Sequence, residues 1–206
     1  EGIALLAKIA KLQPESPEAQ IRLGAGLMAS GKVSGGMEHI QEAMKLNPQF
    51  QQADALMVTA LLRQKDFDGA LRVVDEFEKK NPGSAIPHTL RGEVHVAEGN
   101  MEEARLSFEK ALEITPGDAG VNQSLAFLAI KKASEVIDMS NHQGEHPRMG
   151  ATDVCPLIPI ANITMEEVAK WAHKLGEMAG RELDIPFYMY ESAATKPDWK
   201  NLATIR

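Results

Sequence analysis

Four prolines, Pro14, Pro48, Pro82 and Pro116, stand at equal intervals along the first two thirds of the chain. A fixed period of roughly 34 residues marks a repeated pair of helices, each unit too small to bury its own apolar face and therefore stacked on its neighbours. The other slots recur in step. Gly24, Val58 and Gly92 align, as do Gly36, Ala70 and Ala104, then Ile40, Val74 and Phe108, then Ala43, Phe77 and Ala111. Small residues in one helix let its partner approach, and the larger apolar residues fill the space beside them. The turns between paired helices fall at Gly31-Lys32, Lys65-Asp66 and Gly99-Asn100. Ser16-Pro17-Glu18 reads as an N-cap followed by proline at the first helical position, and Asn100 with Glu103 as a capping box.

These residues resemble the tetratricopeptide repeat (TPR) family over residues 1–132. A partial leading helix comes first, repeats start near 17, 51 and 85, and a final helix spans 119–132. The sequence departs from the family at Gln20, Asp54 and His88, where an aromatic residue is common. The resemblance implies a helical solenoid whose first helices line a concave face that binds a peptide or protein. By family register that face carries Arg22, Gln52, Thr59, Arg63, Glu93, Gln123 and Lys131. A looser similarity to repeat lipoproteins of bacterial exopolysaccharide and protein-sorting systems implies an exported or lipid-anchored place for this part.

The composition changes at residue 133. Both tryptophans, both tyrosines and the single cysteine (Trp171, Trp199, Tyr188, Tyr190, Cys155) lie beyond it. One cysteine excludes a disulfide framework. A formal net charge of −7 excludes a general nucleic-acid binder, because no basic excess meets the phosphates. No apolar run reaches the ~18 residues of a membrane span.

Beyond the seam, residues 137–160 crowd two His, two Asp, a Glu and an Arg among glycines and prolines. Such a density of titratable groups in a broken loop points to a chemical site rather than a solvated helix. Thr164 with Glu167 then forms a capping box, and Val168, Trp171, Leu175, Met178 and Leu183 share one helical face ending by Asp184. Ile185–Tyr190 reads as a short strand, and Val154–Ile160 as an edge strand because Pro156 and Pro159 interrupt it.

The string Gly144-Glu145-His146-Pro147-Arg148-Met149-Gly150-Ala151, with Asp138-Met139, Asp153-Val154-Cys155-Pro156 and Tyr188-Met189-Tyr190-Glu191, resembles the N-terminal subdomain of glutamate formiminotransferase. The similarity covers residues 133–206 and implies a partial α/β segment. The expected fold class is therefore mainly α: a TPR solenoid followed by that partial α/β segment. The resemblance further implies transfer of a formimino group from N-formiminoglutamate to N5 of tetrahydrofolate in the cytoplasm, with His146 as catalytic base and no metal. An imidazole suits that task, since N5 must lose a proton as it attacks and the departing nitrogen must gain one. Arg148 offers a two-pronged donor to a substrate carboxylate, and Glu145 or Asp153 an orienting partner for the ring. Cys155, in an apolar run, reads as a small packing residue.

Two other readings stand beside this one. His142-Gln143-Gly144-Glu145-His146 spells a zinc-peptidase pattern, but Gly144 weakens a helix there and Pro147 follows the second His, so the helical context is missing. The family's flanking segments are also missing from the 206 residues. The expectation is a chimeric chain, a protein-binding scaffold joined to a transferase fragment that is inactive as it stands. The alternative is a working formimidoyltransferase completed by another chain or by further sequence. The segment from about Met139 to Thr152 is expected to be the first cut by protease.

Overall fold

The computed structural model describes residues 2–141, 143, 149–159 and 163–205, and the chain divides into two compact units, residues 1–115 and 116–206. The first unit holds seven helices: α1 (Gly2–Leu12), α2 (Pro17–Ala29), α3 (Val33–Leu46), α4 (Gln51–Arg63), α5 (Phe67–Lys80), α6 (Ile86–Glu98) and α7 (Met101–Ile114). The second holds α8 (Ala119–Val136), α9 (Met165–Leu183) and the single-turn α10 (Leu202–Ile205), with short 3-10 turns at 139–141, 191–193 and 197–200.

The repeat period reappears as geometry. Gly31, Lys65 and Gly99, each one period from the next, adopt left-handed φ values of 84°, 59° and 93°. Each reverses the chain between the two helices of a pair, the conformation that glycine adopts without cost and lysine does not. The aligned slots meet where the helices cross. A Cβ added at Gly24 would lie 2.9 Å from the Gly36 carbonyl and 2.9 Å from Ile40. One added at Gly92 would land on the Phe108 ring. Ile40, Val58, Ala70, Val74 and Phe77 are wholly inaccessible to solvent. Burying side chains of this size stabilises by ~1.5–3 kcal/mol each before chain entropy is counted.

The three polar residues in the usual aromatic slot are buried, and each faces a polar partner. Gln20 donates to the Pro14 carbonyl at 3.0 Å, and its Oε1 lies 2.8 Å from Nδ1 of His39. Asp54 accepts from Lys80 at 2.7 Å. His88 lies 3.7 Å from Glu78, which with Asp75 also pairs with Arg91. Polar bridges between helices replace ring packing at this slot.

Several expectations need correction. Ser16 caps α2 by accepting from the Ala19 N–H, with Pro17 first in the helix as expected, but Asn100 makes no side-chain cap on α7. Asp66 and Asp118 supply caps instead, on α5 and α8. The expected partial α/β character is absent: among the described residues of the second unit there is no strand. Residues 153–159 and 185–189 are extended, and their exposure alternates from residue to residue as in strands. A strand also requires a hydrogen-bonded neighbour, and neither stretch has a backbone ladder among the described residues. The helix read as the last repeat helix, 119–132, continues to Val136 and belongs to the second unit.

Candidate functional site

The second unit encloses a cleft of about 590 Å³. α8 contributes Ile130 and Ser134, and α9 contributes Val168, Ala172 and Leu175. The two extended stretches contribute Cys155, Leu157, Phe187, Met189 and Tyr190. Local chemistry fixes each wall. Thr164 and Glu167 form the expected capping box: the Glu167 N–H donates to the Thr164 hydroxyl at 3.2 Å, and the Thr164 N–H donates back to Glu167 Oε2 at 2.8 Å. The backbone and hydroxyl of Thr164 hold the Glu167 carboxyl below its usual range. From there α9 buries Val168, Leu175, Gly176 and Ala179. Gly176 has no Cβ where Met189 comes against the helix, so the second extended stretch lies close along α9. Asp184 ends α9 in a left-handed conformation at φ 54°.

The polar groups at the cleft are few. Burial pushes the Cys155 thiol up, which keeps it protonated and unsuited to nucleophilic attack. Burial, with Glu191 and Cys155 nearby, raises the Tyr190 phenol. Both are neutral donors near pH 7. Asp153 accepts the Met149 N–H at 3.1 Å. Just before the motif, the Ser140 hydroxyl, the Asn141 amide and the Ser140 N–H hold the Asp138 carboxyl below its ordinary value. Trp171 is half-buried with Lys174 Nζ 4.7 Å from its ring centroid, and Tyr188 meets Trp199 edge-on at 5.5 Å.

His142, Gly144, Glu145, His146, Pro147 and Arg148 lie outside the described residues, and with them the expected base, the carboxylate fork and the zinc pattern. Among the described residues no group of three or more His, Cys, Asp or Glu is placed to hold a metal. Met149, which follows Arg148 in the motif, lines the cleft, as does Asp153. Sequence reasoning did not find that the two extended stretches share one cavity. The available signal was Gly176, a glycine in mid-helix, which marks a close approach by another segment.

In the first unit, Arg22 and Gln52 are exposed on α2 and α4, and Thr59 is half-buried with its hydroxyl on the Ala55 carbonyl. Arg63 donates to the Met28 carbonyl at 2.8 Å, closing the C-terminal end of α2. Glu93 reaches solvent but stands among enough protein for desolvation to raise its carboxyl. Gln123 is buried in α8, and Lys131 is half-buried on the same helix, both in the second unit. No described helix is long and apolar enough to cross a membrane.

Comparison with known proteins finds two families in this one chain. The formiminotransferase domain, N-terminal subdomain, matches residues 94–206, and a tetratricopeptide repeat matches residues 56–119. Glutamate formimidoyltransferase of Streptococcus pyogenes serotype M1 is 51% identical over 90 residues, covering 44% of this chain and 30% of the relative. Formimidoyltransferase-cyclodeaminase of Mus musculus is 39% identical over 131 residues, covering 53% of this chain and 24% of the relative. The chain thus spans less than a third of the length of either relative. Among solved structures, a thermophilic TPR protein of Thermus thermophilus superposes with a TM-score of 0.56 at 22% identity, over 88% of this chain and 84% of that one. MamA of Desulfovibrio magneticus gives 0.51 at 22% identity, over 63% and 73%. These likenesses show the repeat fold.

Proposed function

Because the chain belongs to the family of the formiminotransferase domain, N-terminal subdomain, we propose that its second unit is a part of a folate-dependent formimidoyl transferase, carried on a TPR scaffold that binds a peptide or protein. The observation that carries the reading is the family match across residues 94–206, which includes the whole Gly-Glu-His-Pro-Arg-Met-Gly string. In the proposed reaction N5 of tetrahydrofolate attacks the amidine carbon of N-formiminoglutamate. The new bond is N5 to carbon; the bond that breaks joins that carbon to the glutamate nitrogen. His146 takes the N5 proton and returns it to the departing nitrogen, so the products are 5-formiminotetrahydrofolate and glutamate. Arg148 receives a substrate carboxylate, and the cleft beside Met149 offers apolar walls to a flat ring. On this reading the work is cytoplasmic and needs no metal.

The reading adds that these 206 residues do not turn over by themselves. A lone base contributes ~10²–10⁴-fold, and the rest of the acceleration comes from holding two substrates in line. Both extended stretches lack a ladder among the described residues, so the walls that would hold those substrates are incomplete. The test is formation of 5-formiminotetrahydrofolate by the purified chain beside His146→Ala. Equal, background-level rates support the reading. Turnover that His146→Ala abolishes keeps the chemistry and overturns the inactivity. Turnover that survives His146→Ala removes His146 as the base. A pull-down with the repeats as bait, compared with Arg22→Glu, tests the scaffold.

A further inference from the structure

α4 touches both α2 and α6, so the first helices of the repeats lie side by side in one layer. Gly24 and Gly92 face inward, onto α3 and α7. The residue after each crossing position opens a stripe that turns away from the second helices. Ala25, Thr59 and Glu93 share one slot of this stripe, and Ala29, Arg63 and Ala97 share the slot one turn on. Each of these residues is half-buried or exposed.

Glu93 is the anomaly on this face. It reaches solvent, yet desolvation by the surrounding protein raises its carboxyl, and no ion pair or hydrogen bond among the described residues offsets that. Other carboxylates set against protein in the same unit are paired, Asp54 with Lys80 and Glu78 with Arg91. The helix itself offers Glu93 no cation: the residues three and four positions away are Thr89, Leu90, Val96 and Ala97. On the adjacent α4, Arg63 stands one turn along, but its guanidinium donates at 2.8 Å to the Met28 carbonyl of α2, the helix on the other side of α4 from α6. A lone carboxylate does not hold a divalent metal, which takes several oxygens, and no acidic cluster suited to one stands among the described residues. It does match a single ammonium or guanidinium.

We propose that the outer face of α2, α4 and α6 takes a peptide segment of a partner protein that sets a lysine or arginine side chain on Glu93, with uncharged residues on either side of it. The proposal rests on the reading of the repeats as a peptide-binding scaffold and adds the charge that the scaffold selects. Charge complementarity argues for this occupant. Thr59, Leu90 and Ala97, the neighbours of Glu93 on the face, are uncharged, so an arriving cation meets one counter-charge and no rival. A carboxylate set among protein without a partner is unfavourable in the free chain, and the cation of the ligand relieves it on binding. An acidic segment meets the same carboxylate as repulsion.

The probe is a phage-displayed library of random nonapeptides, all behind one fixed Gly-Ser leader so that the terminal amine does not vary, panned on the intact purified chain. Enriched peptides should carry lysine or arginine in excess of the unselected library. Resynthesised with a fluorescein label, they should bind the parent saturably and lose roughly tenfold or more in affinity to Glu93→Gln. Glu113→Gln, at an exposed carboxylate of α7, should leave their affinity unchanged. A second panning, on Glu93→Lys, should enrich aspartate or glutamate instead. Circular dichroism of each Glu93 variant should match the parent, and where one is misfolded the other gives the reading. Enriched peptides with no basic excess, or basic peptides that bind Glu93→Gln as tightly as the parent, overturn this proposal and leave the scaffold standing. No enrichment over a blank surface overturns the scaffold reading, and the proposal with it.

Discussion

The second helices of the first unit and the extended stretches of the second unit are both apolar on one side, yet only the helices are closed in. α3, α5 and α7 satisfy their own backbone groups and need only a neighbouring helix to cover a stripe, which the sequence supplies within one period. Residues 153–159 and 185–189 have the alternating exposure of strands but no ladder among the described residues, and an apolar cleft of about 590 Å³ lies beside them. Helical repeats finish their structure locally, whereas a sheet segment depends on partners that lie far along the chain or on another one. A calorimetric scan should therefore resolve the second unit melting below the repeats. A single transition at one temperature would erase the contrast.

The largest expected loss within the repeats is at Lys80→Met. The Asp54 side chain is 2% exposed and its partner ammonium stands at 2.7 Å. Removing the lysine leaves a buried carboxylate unpaired, at a cost of ~3–5 kcal/mol. Asp54→Leu combined with Lys80→Met should recover most of it, since both charges then go together. Urea melts of the single and double variants make the cycle, and a double variant no better than Lys80→Met would show that the polar slot works by shape instead.

Next in size is Gly92→Ala. The new methyl would land on the Phe108 ring, so a cost of ~1–3 kcal/mol is expected from overpacking. Phe108→Leu in the same chain should return part of it by opening space. Because each unit stacks only on its neighbours, the loss belongs to the repeat transition, and the melting of the second unit should stay where it was.

How far the sequence could be read follows the same division. The period carried the first unit: four prolines placed every pair of helices, and Gly24, Gly36, Gly92 and Ala104 marked the crossings. The pattern did not say that Gln20, Asp54 and His88 would be bridged by His39, Lys80 and Glu78, because those partners lie on other helices, Lys80 at the very end of α5. Nor could the period tell where repeats stop. α8 begins in register with the first helices, so its first turns look like another repeat, although it belongs with α9. In the second unit the capping box fixed the start of α9 correctly. A short apolar run at residues 154–160 and an aromatic one at 185–190 suggested strands, since residue type reports what favours an extended chain and is silent on ladders.

A smaller effect, confined to the second unit, is expected at Thr164→Ala. The hydroxyl half of the capping box would go, leaving the Glu167 N–H without its acceptor and the Glu167 carboxylate without the hydroxyl donor, while the backbone N–H of residue 164 still donates to that carboxylate. Loss of such a cap costs ~1 kcal/mol. The lower of the two thermal transitions should fall and the upper one hold. A fall in both would mean that the two units melt as one.

The smallest expected effect is at Glu93, and it turns on pH. Desolvation raises its folded-state pKa above the ordinary carboxylate value. Between the ordinary and the raised value the folded protein binds more protons than the unfolded chain, so this group's contribution to stability falls as pH rises through that window. Glu93→Gln removes the contribution. The variant should equal the parent in acid, below the ordinary carboxylate range, and be slightly the more stable at neutral pH. Because Glu93 reaches solvent, the gap should stay within the ~0.5 kcal/mol typical of surface substitutions. Denaturant midpoints measured from acid to neutral pH give the curve directly. A Glu93→Gln variant that loses stability at neutral pH would mean that the carboxylate has a favourable partner in the repeats, and the desolvation account of its raised pKa would have to be abandoned.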